Sequence, residues 1–428
     1  MLKKLLKNDF FKNVFTLFTG TAIAQVLPVA ITPILTRIYG PKEFGVFAVY
    51  TAIVSILSVL STGRYELAII IPEKDSEAIN VAGLAAVINV CISIFIFLIF
   101  LIGGENLANL FGVNELGIWL YFIPVSLIIL GFYAIIYYWF NRRKLYKVMS
   151  VNKVIQQAGI GTANISFGFA TNGIGLILGT IIGQAFALWL IIKRLLNKEK
   201  MILKEISKKE MLLQAKRFAN FPKYFTFAHT LNVSSRNLAN ILFSSFFNAL
   251  TVGYFTLTQR VLSLPVSLIG TAITDVFRQN AAEEIQINGN CKKLYIKSFK
   301  LLFLLAIIPF TLLYIFSPWL FSFVFGAEWA VAGEYARLMM PMLFFQFITS
   351  PLSTLSIILE KNKYEIIWQA ALFISTTSSL VIGYKIFNSI KASIILFTIA
   401  YSIMYIVDGF MTYRFAVNGK PNPEKLEV

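Results

Sequence analysis

Two arginines, Arg236 and Arg260, sit deep inside long apolar runs. An unpaired cation at the centre of a bilayer costs on the order of 3 kcal/mol, so each must face a partner or a wet path. Their neighbours repeat at helical spacing. His229, Asn232, Arg236 and Asn240 follow at intervals of three and four residues, as do Thr256, Arg260, Ser263, Ser267 and Thr271. Thr21, Gln25, Pro28, Thr32 and Thr36 make a third, milder stripe. Such spacing puts each set on one helix face. A guanidinium presents a fork of donors that matches phosphate, so two cations without a nearby carboxylate at their depth favour a bound anion. Asn232, Asn240 and Gln25 would bond hydroxyls beside it. The competing reading has Arg236 and Arg260 paired with Asp275 or Asp408 across the fold, and the Ser and Thr members bridging helices.

Three groups could couple an ion. His229 is the only histidine; the reference pKa of an imidazole, near ~6.5, suits a proton step, and a buried histidine that donates to a carbonyl is the competing reading. Asp408, in the last apolar run, and Asp275 are the acidic candidates. Other chemistry is missing. There is no phosphate-binding Gly-x-x-x-x-Gly-Lys-Ser/Thr loop, no His-Glu-x-x-His and no metal-type spacing, so neither an enzyme, a metal nor a cofactor is expected. The two cysteines, Cys91 and Cys291, are too differently placed to suggest a disulfide.

The elements that must position these groups are apolar helices. The chain is 57% hydrophobic and only 14% charged, with a mean hydropathy of +0.73. Runs of about 20 residues, each enough to cross ~30 Å of hydrocarbon, recur along it. They are expected near 13–36, 44–62, 78–102, 116–138, 151–170, 173–192, 223–246, 250–274, 296–316, 332–357, 364–387 and 392–413, with a tight hairpin at Thr171-Asn172. The first run is too long for a cleaved signal and reads as a retained span.

Charge orients them. Of 38 Lys and Arg residues, 31 fall on one side, 5 on the other and 2 inside spans. Positive charge stays cytoplasmic during insertion, so both termini are expected inside. The net charge of +17 therefore reports topology and contact with anionic lipid, not nucleic acid.

The chain also repeats. Gly45-Val46-Phe47 matches Gly253-Tyr254-Phe255, Phe111-Gly112 matches Phe325-Gly326, Pro124 matches Pro341, and Arg143-Lys144-Leu145-Tyr146 matches Lys361-Asn362-Lys363-Tyr364, with offsets drifting from 208 to 218. The expectation is an all-α polytopic membrane protein of about twelve transmembrane helices, in two six-helix halves related by a pseudo-two-fold along the membrane normal. The halves would be an N-terminal lobe, 1–192, and a C-terminal lobe, 223–428. Between them, 193–222 would be a cytoplasmic linker, either solvated throughout or carrying an amphipathic helix around Leu203, Ile206 and Leu213 on the membrane surface.

Some residues resemble a known family. Pro33-Ile34-Leu35-Thr36-Arg37-Ile38-Tyr39-Gly40-Pro41-Lys42-Glu43-Phe44-Gly45, Arg64-Tyr65-Glu66-Leu67-Ala68-Ile69 with Pro72, and Gly20-x-x-x-x-Gln25 resemble the first spans of Wzx-type polysaccharide-repeat flippases. These motifs lie in the first 80 residues; beyond them the similarity rests on the layout of spans. The resemblance implies membership of the superfamily that also holds multidrug extruders and lipid II flippases. It implies a substrate, an undecaprenyl-pyrophosphate-linked oligosaccharide, carried from the inner to the outer leaflet of the bacterial cytoplasmic membrane for O-antigen, capsule or exopolysaccharide assembly. Alternating access coupled to H+ or Na+, and work alongside a polysaccharide polymerase, are further implications. Arg236 and Arg260 would then hold the pyrophosphate, with Arg37 and Arg64 as further substrate contacts. From the residues alone, Arg64-Tyr65-Glu66 just after span two reads either as a cytoplasmic gate pair or as an interfacial anchor. A multidrug/cation antiporter of the same fold is the alternative, disfavoured by the lack of a mid-membrane acid in spans one to seven. A membrane glycosyltransferase or glycan polymerase would need paired acids or a large outer loop, and the sequence has neither.

Overall fold

A backbone in hydrocarbon must satisfy its own N–H and C=O groups, which for this composition leaves the helix as the default element. The computed structural model describes residues 9–110, 112, 114–170, 175–359 and 361–419, and among them every regular element is helical. Twelve long helices correspond one for one to the twelve apolar runs. They are α1 (Asp9–Ile38), α2 (Pro41–Ser61), α3 (Asp75–Leu110), α4 (Ile123–Arg142), α5 (Tyr146–Ala170), α6 (Gly175–Glu199), α7 (Thr226–Phe246), α8 (Ala249–Asn288), α9 (Lys292–Phe325), α10 (Ala330–Thr349), α11 (Asn362–Phe387) and α12 (Ile390–Asn418). The hairpin expected at Thr171-Asn172 lies outside the described residues.

Nine of these described helices are long and apolar enough to cross a membrane by themselves, and a tenth span follows if Ala327–Thr349, which contains α10, is joined to Leu352–Ile358 across a 44° bend. The two that fall short are α5 and α7. Their polar residues lower the hydropathy: Asn152, Lys153, Gln156, Gln157 and Asn164 in α5, and His229, Asn232, Arg236, Asn237 and Asn240 in α7. A count of twelve crossings therefore rests on helices whose polar faces must be covered.

Local chemistry sets the ends. Pro41 starts α2 at a position whose N–H has no partner in a helix anyway. Ser389 caps α12 through its side chain, and Asn388 closes α11 in a left-handed conformation. In the expected linker, Ser207 caps a ten-residue amphipathic helix, Lys208–Arg217, by accepting from the Glu210 N–H at 3.2 Å.

Packing divides the chain into two units, residues 1–253 and 254–428, with the boundary inside α8. In the first, α3 packs on α4, α4 on α6, and α5 on α6. Six helices later the same pattern recurs in the second: α9 on α10, α10 on α12, and α11 on α12. Even the cross-links correspond. Tyr50 of α2 bonds Ser126 of α4 at 2.8 Å, and Thr258 of α8 donates to the Ala332 carbonyl of α10 at 2.7 Å. The first unit also places α1 on α5 and α7 on α2. Small residues allow these close approaches, the usual device where lipid supplies no hydrophobic drive between helices. A Cβ on Gly183 of α6 would lie 2.5 Å from the Ile160 backbone, and one on Gly383 of α11 would lie 2.4 Å from Ser393 Cα.

The tightest approach pairs two glycines that the repeat makes equivalent. A Cβ on Gly45 would lie 1.7 Å from the Ala249 carbonyl oxygen, and one on Gly253 would lie 1.8 Å from that of Pro41. Pro41 with Ala249, and Gly45 with Gly253, share the 208-residue offset, so the partners are exchanged as a local two-fold exchanges them.

Candidate functional site

The first unit holds a cavity of about 420 Å³ among α2, α4 and α7. Ser55, Ser58 and Thr62 line it from α2 and its end, Leu130, Gly131 and Ala134 from α4, and His229, Val233 and Asn237 from α7. Arg64 and Glu66 complete the wall. Spacing of four along α7 keeps His229, Val233 and Asn237 on one face and carries the lining about 12 Å along that helix.

A strained turn puts the charged pair there. After α2 the chain is left-handed at Gly63 (φ 58°) and again at Arg64 (φ 60°). A side chain pays for that conformation, so surrounding contacts must hold it. Arg64 Nη1 lies 3.2 Å from Glu66 Oε1, and the Thr62 hydroxyl donates to the other oxygen of Glu66. Glu66 is only 3% exposed, so its charge is neutralised at short range in place of water. Arg64 Nε is buried and has no acceptor among the described residues. Buried N–H groups are nearly always satisfied, so this donor is available to an acceptor from outside the protein.

The wall is rigid on the α4 side. A Cβ on Gly131 would fall 2.0 Å from Asn89 Nδ2, which instead donates to the Leu127 carbonyl at 3.0 Å. At the same end of the helices, Arg142 grips the segment after Glu66. Its Nε meets Asp75 at 2.8 Å, Nη1 reaches the Pro72 carbonyl, and Nη2 donates to Glu73 O at 3.0 Å. Arg143 bridges Asp75 and Glu199. Hydrogen bonding to Glu199 raises the Arg143 pKa. The expected linker docks here too. Asn80 of α3 donates to Glu205 O at 3.0 Å and accepts from Ser207 N at 2.8 Å, and Tyr65 Oη donates to Ala215 O at 3.1 Å. Tyr65 has its pKa raised by burial.

The sequence-predicted residues are only partly brought together. Arg64 and His229 share the cavity. Asn240 is buried one turn beyond Asn237. Asn232 and Arg236 lie in α7 and Asp275 in α8, but their side chains are outside the described set. Gln25 is exposed on α1, and Arg37 is exposed with Nη1 on the Pro33 carbonyl at 2.9 Å. Most hydroxyls of the α1 and α8 stripes return to their own helix: Thr32 to Pro28 O, Thr36 to Pro33 O, Ser267 to Leu264 O and Thr271 to Leu268 O. That is the local bond Ser and Thr make inside helices.

In the second unit, Arg260 is partly buried eleven residues into α8 and forms no ion pair among the described residues. Asp408 of α12 is 2% exposed. Its carboxylate accepts from Ser353 Oγ and from Tyr364 Oη at 2.9 Å, with no cation against it among the described residues. Glu365 sits beside it, bonded to Ser356 at 3.0 Å and Gln369 at 3.2 Å. One fully buried carboxylate and one half-buried one thus share a single polar cluster.

Asn237 and Arg142 were absent from the sequence-derived candidates. Glu66 was in view as part of Arg64-Tyr65-Glu66, but only the turn at Gly63 shows it folded back against the cavity.

The profile of the family described as "Polysaccharide biosynthesis protein" matches residues 34–334. The chain belongs to that family. No curated protein matches it by sequence. Among solved structures, the chain is similar to the lipid II flippase MurJ in an inward closed conformation and to MATE family multidrug transporters. For MurJ the TM-score is 0.70 at 15% identity, over 95% of this chain and 88% of that one. An inward-facing MATE family multidrug transporter of the MOP superfamily gives 0.63 at 13% identity, over 96% of each chain. Its outward-facing counterpart gives 0.59 at 14%. At these identities the likeness establishes the fold: this is a multi-pass membrane protein with the helical architecture of that superfamily, and the solved proteins named above are transporters and a flippase rather than enzymes.

Proposed function

We propose that this polysaccharide biosynthesis protein is a flippase. It carries an undecaprenyl-pyrophosphate-linked oligosaccharide from the inner to the outer leaflet of the bacterial cytoplasmic membrane, with both termini cytoplasmic. The observation that carries the reading is the Arg64 guanidinium, held in a strained turn at a polar cavity with its Nε donor unsatisfied. A pyrophosphate sugar head cannot cross hydrocarbon, whereas its isoprenoid tail stays in lipid, so the protein must supply only a polar cationic path. Arg64 meets the pyrophosphate at the cytoplasmic end, Arg260 and Arg236 act deeper, and Asn240 and Asn232 bond sugar hydroxyls. Asp408 in the second unit and, independently of it, His229 in the first are the groups assigned to the coupling ion. The two six-helix repeats, 1–192 and 223–428, are the elements that alternate access, and the product passes to a polysaccharide polymerase.

A second reading has one observation in its favour. Glu66 is a buried acid on the cavity wall, the feature a cation antiporter needs. Its oxygens are already engaged by Arg64 and Thr62, so a cation would have to displace the guanidinium; the two formal charges cancel, and the case for an anion rests on the Arg64 Nε donor that the pair leaves over. The test is complementation of a deletion strain by Arg64→Ala, Arg260→Ala and Arg260→Lys at wild-type abundance. Loss of surface glycan with each alanine variant supports the flippase. Full complementation by all three would remove the assigned roles.

A further inference from the structure

Outside the cavity just described, α5 and α6 frame a second concavity of about 660 Å³ near the Glu199 end of α6. Its floor is apolar, formed by Val148, Val151, Ile155, Leu190 and Ile191. Its rim is basic: Lys147 from α5, and Lys193, Arg194 and Lys198 from α6, all exposed. No carboxylate lines it, and none of the four cations forms an ion pair among the described residues. The acid next in sequence, Glu199, is engaged by Arg143 at 2.7 Å.

The depth of this groove in the bilayer can be read from its neighbours. Trp189 and Phe186 are exposed on α6, and Lys193 Nζ stands 5.3 Å over the Trp189 ring. Exposed tryptophan beside lysine is the signature of the headgroup layer. An apolar floor that begins at that layer and continues along the span, under cations converging from two helices, fits a molecule with a phosphate head and hydrocarbon chains.

We propose that the α5–α6 groove binds an anionic phospholipid of the surrounding bilayer, its phosphate held by Lys147, Lys193 and Arg194 and its acyl chains lying on Val151 and Ile155. This site is separate from the translocation cavity and does not rest on it. General attraction of a basic surface to an anionic leaflet would act on any cluster of lysines. A groove with both a basic rim and an apolar floor should instead retain one lipid in detergent.

The experiment is native mass spectrometry of the purified full chain with phosphatidylglycerol and, separately, phosphatidylethanolamine. Each cation near an anionic headgroup contributes about 1 kcal/mol, or roughly fivefold in affinity. Lys147→Gln/Lys193→Gln/Arg194→Gln should therefore weaken phosphatidylglycerol retention at least about tenfold, while Lys292→Gln/Lys293→Gln/Lys297→Gln, which removes the same charge elsewhere, leaves it unchanged. Val151→Trp, which fills the floor and keeps every charge, should also displace the lipid. If the groove triple does not fold, Val151→Trp decides alone. Equal weakening by both triples, equal retention of the two lipids, displacement by glycerol phosphate without chains, or preference for a polyprenyl diphosphate over phosphatidylglycerol would each overturn the proposal.

Discussion

Arg142→Ala should destabilise the protein far more than Arg143→Ala, although the two residues are adjacent and both touch Asp75. The Arg142 side chain is 10% exposed and makes three good charged hydrogen bonds, to Asp75, Pro72 O and Glu73 O, with longer approaches to Ile69 O and Ile70 O. A hydrogen bond to a charged group is worth about 1.5–3 kcal/mol, but such bonds are not additive and the freed carbonyls can partly rehydrate. A loss of about 2–4 kcal/mol follows. Arg143 is 34% exposed in its pairs with Asp75 and Glu199, and exposed ion pairs contribute about 0–1 kcal/mol. Thermal unfolding of the purified protein in detergent, followed by tryptophan fluorescence, should show Tm lowered by roughly 5 °C or more for Arg142→Ala and by about 2 °C or less for Arg143→Ala. Because Arg142 grips the segment after Glu66, its loss should also raise proteolysis at 66–75. Equal Tm shifts would refute the reasoning.

Other expectations follow from the same geometry. Gly45→Ala places a methyl 1.7 Å from a carbonyl oxygen, whereas Gly20→Ala meets first the movable Ser150 hydroxyl, so Gly45→Ala should show the larger drop in Tm. Asp408→Asn keeps the shape of the Ser353–Tyr364 cluster but removes its charge; transport in vesicles should lose its dependence on an imposed ion gradient, and an unaltered dependence would clear Asp408 of the role. Cys291 is fully buried, and burial with the nearby Glu284 carboxylate lifts its thiol from 9.0 to about 11. Since the thiolate is the nucleophile, maleimide labelling of Cys291 in folded protein should stay slow at pH 9 and become fast on unfolding. The raised value also means that its stabilising share is complete below pH 9 and is lost as pH climbs toward 11, visible as a falling Tm over that window.

How far the sequence speaks depends on what carries the signal. Each apolar run became a helix, because hydrocarbon leaves the backbone no alternative. The repeat was legible in Gly45 and Gly253, and these two positions turned out to be where α2 and the start of α8 touch. The polar stripes were less informative. Periodicity shows that Thr32, Ser267 and Thr271 share a face with larger polar groups, but not that their hydroxyls are satisfied within their own helix. The placement of the remaining groups depends on long-range or backbone facts. Glu66 reaches the cavity wall through two consecutive left-handed residues and Asn237 through the register of α7, while Arg142, outside the cavity, is placed by carbonyls about 70 residues earlier in the chain. Arg142-Arg143 directly after an aromatic span end, with Asp75 and Glu77 across the sheet-free helix ends, was the one available hint.

The central claim is that the protein moves a lipid-linked oligosaccharide and that Arg64 meets its diphosphate. The most direct measurement is the leaflet distribution of that lipid in spheroplasts of a deletion strain carrying either the wild-type gene or Arg64→Ala at equal abundance, read by the fraction open to an impermeant oxidant or glycosidase. The account predicts an accessible pool with wild type and retention on the cytoplasmic leaflet with Arg64→Ala, as in the empty strain. An accessible pool of the same size in all three would contradict it.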